Sequence, residues 1–356
     1  MTLMVPMVLA MVAAAGAASP PAGGSAEGLS FSHNDWQLVC DNTRTCRAVG
    51  YQAEDGESPI AVKLERKAGP GEPIKAALMI GLDEDAGAKQ RGPAELRLTM
   101  RIDGKAIGQV TVNREQVVAE LKEDQVAVLL KALHRNTQIE WATKDLSWRL
   151  SDSGAAAVLL KLDEFQGRVG TIGAAFKKGP QDETRVLPAL RPPVVVAASV
   201  AKPKPGDDRF AKQHLAALRK SLLAAAKGDE CEELAQGTAE GTRLVASRLS
   251  DTKLLISVLC WRAAYNEGIG FWVVDEPPPH RAVLVTTSGS EYHDGTISAA
   301  QKGRGIGDCW STDGWTWDGD RFVHTESSST GLCKGIGPGG GWGLPTIVTD
   351  VRAMGR

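Results

Sequence analysis

Six cysteines are the residues of this sequence best placed to do chemistry, and their spacing says which kind. They fall into neighbouring couples along the chain: Cys40 with Cys46, Cys231 with Cys260, and Cys309 with Cys333. A metal site or a redox-active thiol would call for C-x-x-C or interleaved Cys/His spacings, and neither occurs. Disulfide formation is the chemistry that remains, and it requires an oxidising compartment. Six cysteines allow fifteen connectivities, and proximity alone favours the sequential one. Loops as long as those of the two C-terminal couples would each add about 3 kcal/mol by restricting the unfolded chain.

Other reactive side chains are present but not arranged. His33, His134, His214, His280, His293 and His324 are scattered, with no pair three to five residues apart, so zinc is not expected. No G-x-S-x-G elbow, Walker sequence or H-E-x-x-H helix occurs. Gly335-Ile336-Gly337-Pro338-Gly339-Gly340 matches G-x-G-x-x-G in letters. It follows no clear strand, contains a proline and leaves no room for a βαβ unit, so no cofactor is expected. Asp83 and Asp85 begin like a calcium loop but lack the glycine and closing glutamate of one, and they read as a solvated turn. A carboxylate couple such as Asp308 with Asp318, or Glu291 with Asp294, is what an envelope glycan hydrolase would need. That is the catalytic alternative to a non-catalytic protein.

From Tyr292 onward Gly, Asp and Trp are concentrated, and this tail holds the candidate ligand contacts. Trp315, Trp317 and Phe322 flank an Asp318-Gly319 hairpin turn and should face one side of a sheet. Such a row is ordinarily core, its functional alternative being a platform on which a sugar or peptide stacks. Trp310 and Trp342, flanked by glycines or turn residues, are the better candidates for exposure. Lys302 and Arg304, in Lys302-Gly303-Arg304-Gly305, could hold an anion with loop N–H groups, against the plainer reading of a glycine-permitted turn beside a disulfide.

The elements that must position these residues are mostly strands. Trp36–Cys40, Ile60–Leu64, Ala77–Ile80 and Leu96–Met100 are short apolar or alternating runs. Asp103-Gly104 predicts a hairpin between Leu98–Ile102 and Ile107–Val112. Helices are predicted from Arg114 to about Leu121 and from Asp124 to Leu133, the second with Val126, Leu129, Leu130 and Leu133 on one face. Thr137–Trp141 and Leu146–Leu150 read as further strands. Residues 191–206 contain four prolines and read as a linker between two domains, 31–190 and 207–356. Beyond it, a helix capped by Asp207 or Asp208 should reach Lys227. Strands are then expected at Thr242–Ser247, Leu254–Cys260, Ile269–Val274 and Ala282–Thr287. The expected fold class is α+β, mostly antiparallel: a β-rich N-terminal domain, then a helix-on-sheet domain stapled by disulfides.

At 356 residues the chain exceeds the usual size of a single core, which agrees with two domains. A net charge of −2 gives no reason to expect nucleic acid or an anionic membrane as partner. Leu3–Ala15 is almost wholly apolar and is followed by Ala15-Gly16-Ala17-Ala18-Ser19-Pro20, the layout of a secretory signal, although no Lys or Arg precedes it. It is too short for a comfortable membrane span. Residues 1–18 are therefore expected to be a cleaved signal and 19–30 a tether, placing the protein in the periplasm or outside the cell.

Three stretches together carry a resemblance. They are Trp36 to Cys46, then Leu146-Ser147-Trp148-Arg149-Leu150 leading into Asp163-Glu164-Phe165-Gln166-Gly167-Arg168-Val169-Gly170, and the Trp/Gly-rich tail. The chain resembles, over nearly its whole mature length, the proteobacterial family catalogued as domain of unknown function 1176. Its N-terminal half is also similar to the exported invasion-associated locus B proteins. The first resemblance implies no activity. The second implies only an exported β-rich protein linked to host-cell entry in some bacteria, with no catalytic residues to carry over. The expected function is a non-catalytic binding or interaction protein of the cell envelope, its partner an envelope polymer or another protein.

Overall fold

The computed structural model describes residues 28–82, 94–226 and 231–354. The expected signal, Asp83, Asp85 and Lys227 lie outside these residues, as does most of the expected tether. Its last two residues, Leu29 and Ser30, belong to a strand.

Antiparallel sheets dominate. The first has six strands in the order β1 (Leu29–His33), β2 (Trp36–Cys40), β3 (Cys46–Tyr51), β4 (Ile60–Arg66), β5 (Lys75–Ile80) and β8 (Val118–Glu120). The second runs β10 (Ser147–Leu150), β9 (Ile139–Ala142), β6 (Glu95–Ile102) and β7 (Lys105–Asn113). Asp103 and Gly104 both take positive φ between β6 and β7, as a two-residue hairpin turn of this hand requires. One face of the first sheet, through Leu38, Val62 and Leu78, shares a core with Leu98 and Trp141 of the second. Leu129 of α1 (Glu123–Ala132) and Leu159 of α2 (Ala155–Gln166) complete it.

Every residue of β2 is buried, because its other face is covered as well. Val39, Val49 and Tyr51 pack there against Ile336, Trp342 and Leu344 of the C-terminal tail. The tail is held by Asn42, which exchanges hydrogen bonds with Val348, and by the Leu332 N–H donating to the Tyr51 hydroxyl. Gly331 lets that approach happen: its φ is +93°, and a Cβ there would lie 2.0 Å from the Tyr51 oxygen.

Two further sheets follow. One has the order β12 (Val245–Arg248), β13 (Lys253–Arg262), β14 (Glu267–Asp275) and β15 (Ala282–Gly289). The other runs β16 (Glu291–His293), β17 (Thr296–Lys302), β18 (Trp310–Trp317), β19 (Phe322–Ser329) and β20 (Leu344–Ile347). Leu255 and Phe271 of the first of these meet Ile297, Trp317 and Phe322 of the second. Alternate residues Leu254, Ile256 and Trp272 cluster instead with Phe210, Leu218 and Leu234 of α3 (Asp207–Gln213), α4 (Leu215–Ala226) and α5 (Glu232–Gln236). The disulfides are Cys40–Cys46, Cys231–Cys260 and Cys309–Cys333, the sequential pairing.

Three local expectations are corrected. Residues 114–116 form a turn anchored by the Asn113 side chain, which accepts from the Glu115 N–H at 2.8 Å, and β8 stands where a helix to Leu121 was expected. The single helix expected from Asp207 is two, separated at His214. Gly206 holds the cap position, because the Asp207 carboxylate already accepts from Arg248 and the Lys204 N–H. Val194–Ala197, within the expected linker, form β11 and pair in parallel with β21 (Asp350–Ala353).

Arg248 is buried between Asp207 and Glu276 and holds both carboxyls below the usual carboxylate range. Folded-state values lowered in this way contribute stability that is complete above about pH 5 and lost as pH falls through them. Arg248→Met is therefore expected to flatten the acid limb of stability against pH. Urea midpoints collected between about pH 3 and pH 7 check this; equal slopes for variant and wild type would refute it.

Candidate functional site

α1 begins where the Gln125 side chain accepts from the Lys122 N–H, with Glu123 and Asp124 in its first turn. Leu129 and Ala132 face the core. A second face, three and four residues apart, carries Glu123, Ala127, Leu130, Lys131 and, just past the helix, His134. This face is one wall of a cleft of about 850 Å³. The end of β6 supplies Ile102, the approach to β5 supplies Ile74, and residues 173–178 form the opposite wall.

That wall has no regular structure, so its shape depends on buried side chains. Asp163, on α2 and fully buried, accepts from the N–H groups of Ala175 (2.7 Å), Phe176 (2.8 Å) and Lys177 (3.3 Å). The Ala175 carbonyl accepts from His134 Nε2 at 3.1 Å, which fixes the tautomer of that ring, and the ring lies 4.6 Å from Phe176. Behind the wall, Arg168 is wholly buried and donates to Gln166, Gly69 and Glu183. Burial pushes Glu183 up, but the Gly71 N–H and the Arg168 guanidinium outweigh it and hold the carboxyl low.

Arg66 lines the deep end of the cleft and is 5% exposed. It donates to the Glu72 carbonyl (2.8 Å) and the Gly173 carbonyl (2.6 Å), and its nearest carboxylate oxygen, on Glu183, is 3.7 Å away. Burial, then the charge of Arg168, push its pKa down to about 10. The charges of Glu183, Asp163 and Glu72 act against this, so carboxylates surround the two guanidiniums. Lys131, Arg135 and Lys178 add three exposed cations at the rim, none with an ion-pair partner among the described residues. The lining includes no serine or cysteine, and its one hydroxyl, on Thr137, donates to the Ala132 carbonyl. Cations beside aliphatic side chains are the chemistry that complements an anion with an apolar body.

The residues singled out in the tail lie elsewhere and form no platform. Trp317 is 1% exposed and Trp342 9%, so Trp342, expected at the surface, is core beneath the tail. Trp315 is half-buried and stacked on His324. Trp310 is half-buried with its indole N–H on the Gly307 carbonyl and the Lys302 ammonium over its ring. Arg304 is engaged by Asp308, which also accepts from the Gly335 N–H. Asp308, Cys309 and Cys333 converge, but the two sulfurs are bonded to each other and offer no thiolate. Asp308 and Asp318 stand at opposite ends of β18, about 26 Å apart for eight extended residues, far beyond the separation of a glycosidase pair. The glycine run at 335–340 lies between β19 and β20, opens no helix, and buries Ile336.

A family model described as "Protein of unknown function (DUF1176)" matches residues 30–349. The chain belongs to this family. The uncharacterized protein YpfG of Escherichia coli strain K12 is 27% identical to it over 329 residues, covering 84% of this chain and 87% of that protein. No solved structure matches. The resemblance of the N-terminal half to the invasion-associated locus B proteins is not shown by these matches. The cleft of this DUF1176 chain falls wholly inside the matched span. Sequence reasoning missed it, although α1 carried one signal: Ala127 adds an exposed apolar residue beside the face that packs on the core.

Proposed function

We propose that this is an exported cell-envelope protein that binds rather than catalyses, and that its ligand is an anion with an apolar body held in the α1 cleft. The carrying observation is the union, in one cleft, of an apolar lining with Arg66 and three unpaired cations. Export is supported by the apolar leader with its small-residue cleavage site and by three disulfides. Among the described residues no helix is long and apolar enough to cross a membrane. In this reading the β-rich segment 31–190 carries the ligand, and 207–356 follows it with helices on one face of its first sheet and its tail laid over β2 and β3. An envelope polymer or partner protein would meet the chain outside the cleft.

An anilinonaphthalene sulfonate, apolar with one fixed negative charge, is the probe. Saturable fluorescence enhancement with one site per chain is expected. The triple variant Lys131→Gln/Arg135→Gln/Lys178→Gln should bind it about threefold to a hundredfold more weakly, since each lost cation removes about 0.2–1 kcal/mol. Its circular dichroism should be unchanged, the three residues being exposed. Absence of saturable binding to the wild type would overturn the reading.

A further inference from the structure

We propose that the ligand of the α1 cleft is a single-chain lipid anion, its alkyl chain lying along Ile74, Ile102, Val126 and Leu130 and its charged end held by Arg66 and the rim cations. This rests on the reading of the cleft as an anion site and names the ligand class.

The lining decides between amphiphile and sugar. A sugar needs hydroxyl-matched donors and acceptors and a flat aromatic face. No Asn, Gln, Ser, Tyr or Trp lines this cleft. Its polar groups are almost all full charges, and between them lie aliphatic side chains, which recognise methylene groups and nothing finer. Size permits one chain: about 850 Å³ lies within the range of roughly 300–1,000 Å³ that holds one drug-sized molecule. Charge sets the head: Arg66, Lys131, Arg135 and Lys178 outnumber Asp103 and Glu123 in the lining, and a zwitterion or alcohol would bring the three exposed cations no net counter-charge. Glu123 and Asp103 also line the cleft, but Asp103 accepts from the Gln138 N–H at 3.0 Å and Glu123 stands at the opposite end of α1 from Lys131. Glu123 repels an anionic head from its end of α1, which orients the chain. A fatty carboxylate and an alkyl phosphate share this chemistry.

The test is displacement of the naphthalene sulfonate from the full mature protein, with every competitor below its micelle concentration. Octanoate, decanoate and dodecanoate are compared with dodecyl phosphate, dodecanol and inorganic phosphate. Each added buried methylene should tighten binding by up to about fourfold, so dodecanoate should compete at least tenfold better than octanoate. Dodecanol and inorganic phosphate should fail at the same concentrations. The ranking of dodecanoate against dodecyl phosphate separates the two sources of the anion. Leu130→Gln, at a half-buried position with a good helix former, should weaken dodecanoate more than octanoate and so flatten the chain-length dependence, with circular dichroism unchanged. Affinity independent of chain length, or inorganic phosphate competing as well as dodecanoate, would leave the anion site standing and overturn the lipid. Failure of the sulfonate itself to bind would overturn both.

Discussion

Arg168→Met is expected to destabilise the protein by about 3–5 kcal/mol, the range for breaking a buried ion pair by removing one partner. The guanidinium is wholly buried and serves three acceptors at once: the Gln166 side chain, the Gly69 carbonyl and Glu183. Methionine fills much of the volume but satisfies none of them. Glu183, whose side chain is 11% exposed, would keep the Gly71 N–H and a guanidinium of Arg66 at 3.7 Å. The loss should appear in urea titrations as a lower midpoint at unchanged slope. Arg168→Met/Glu183→Leu should cost clearly less than the sum of the two single changes, because each single change already breaks the Arg168–Glu183 pair. A loss below about 1 kcal/mol for the single variant would show that the network is a surface ornament, contrary to its burial. Because Arg168 and Asp163 support the same wall, sulfonate binding should weaken along with stability.

The strands were legible because half-buried sheets alternate, and the two Asp-Gly hairpins because that dipeptide accepts positive φ where the turn needs it. Trp36–Cys40 carried more than a strand: five buried residues in succession imply cover on both faces, and the second cover comes from Trp342 and Leu344, some 300 positions later in the chain. No local rule names such a distant partner. α2 was missed because Gly154, at φ +99°, gives it no side-chain cap, and its opening Ala-Ala-Ala-Val-Leu-Leu has no polar face to reveal a period. The helix expected at 114–121 fails for the converse reason. Val117 sits at φ +52°, a conformation forced by the Asn113 turn and unfavourable for a β-branched residue, which propensity does not foresee. The cleft was hidden because Arg66, Arg168 and Glu183 are far apart in sequence and each reads alone as an ordinary surface charge. Their burial is a property of the loop that Asp163 folds back.

Cys231→Ala/Cys260→Ala is expected to cost about 3–4 kcal/mol, from the entropy regained by an unfolded loop of 29 residues. Both sulfurs are fully buried in the cluster that joins Leu218, Leu222 and Leu234 to Ile256 and Trp272. Removing them therefore also leaves small voids in that core. α5 has only five residues and α3 seven, too short to persist alone, so their order depends on this staple and on the contacts it brings together. Calorimetry of the variant should show a lower first transition, and amide exchange in α4 and α5 should accelerate well before that of β2 and β3. Cys40→Ala/Cys46→Ala should lose less, since that bond spans six positions and closes strands already paired at Cys40 and Cys46. If the two double variants lose equal stability, loop entropy is not what these bonds supply. Their contribution would then lie in the packing of the sulfurs themselves, and the reading of the cysteines as staples for an oxidising compartment would lose its energetic basis.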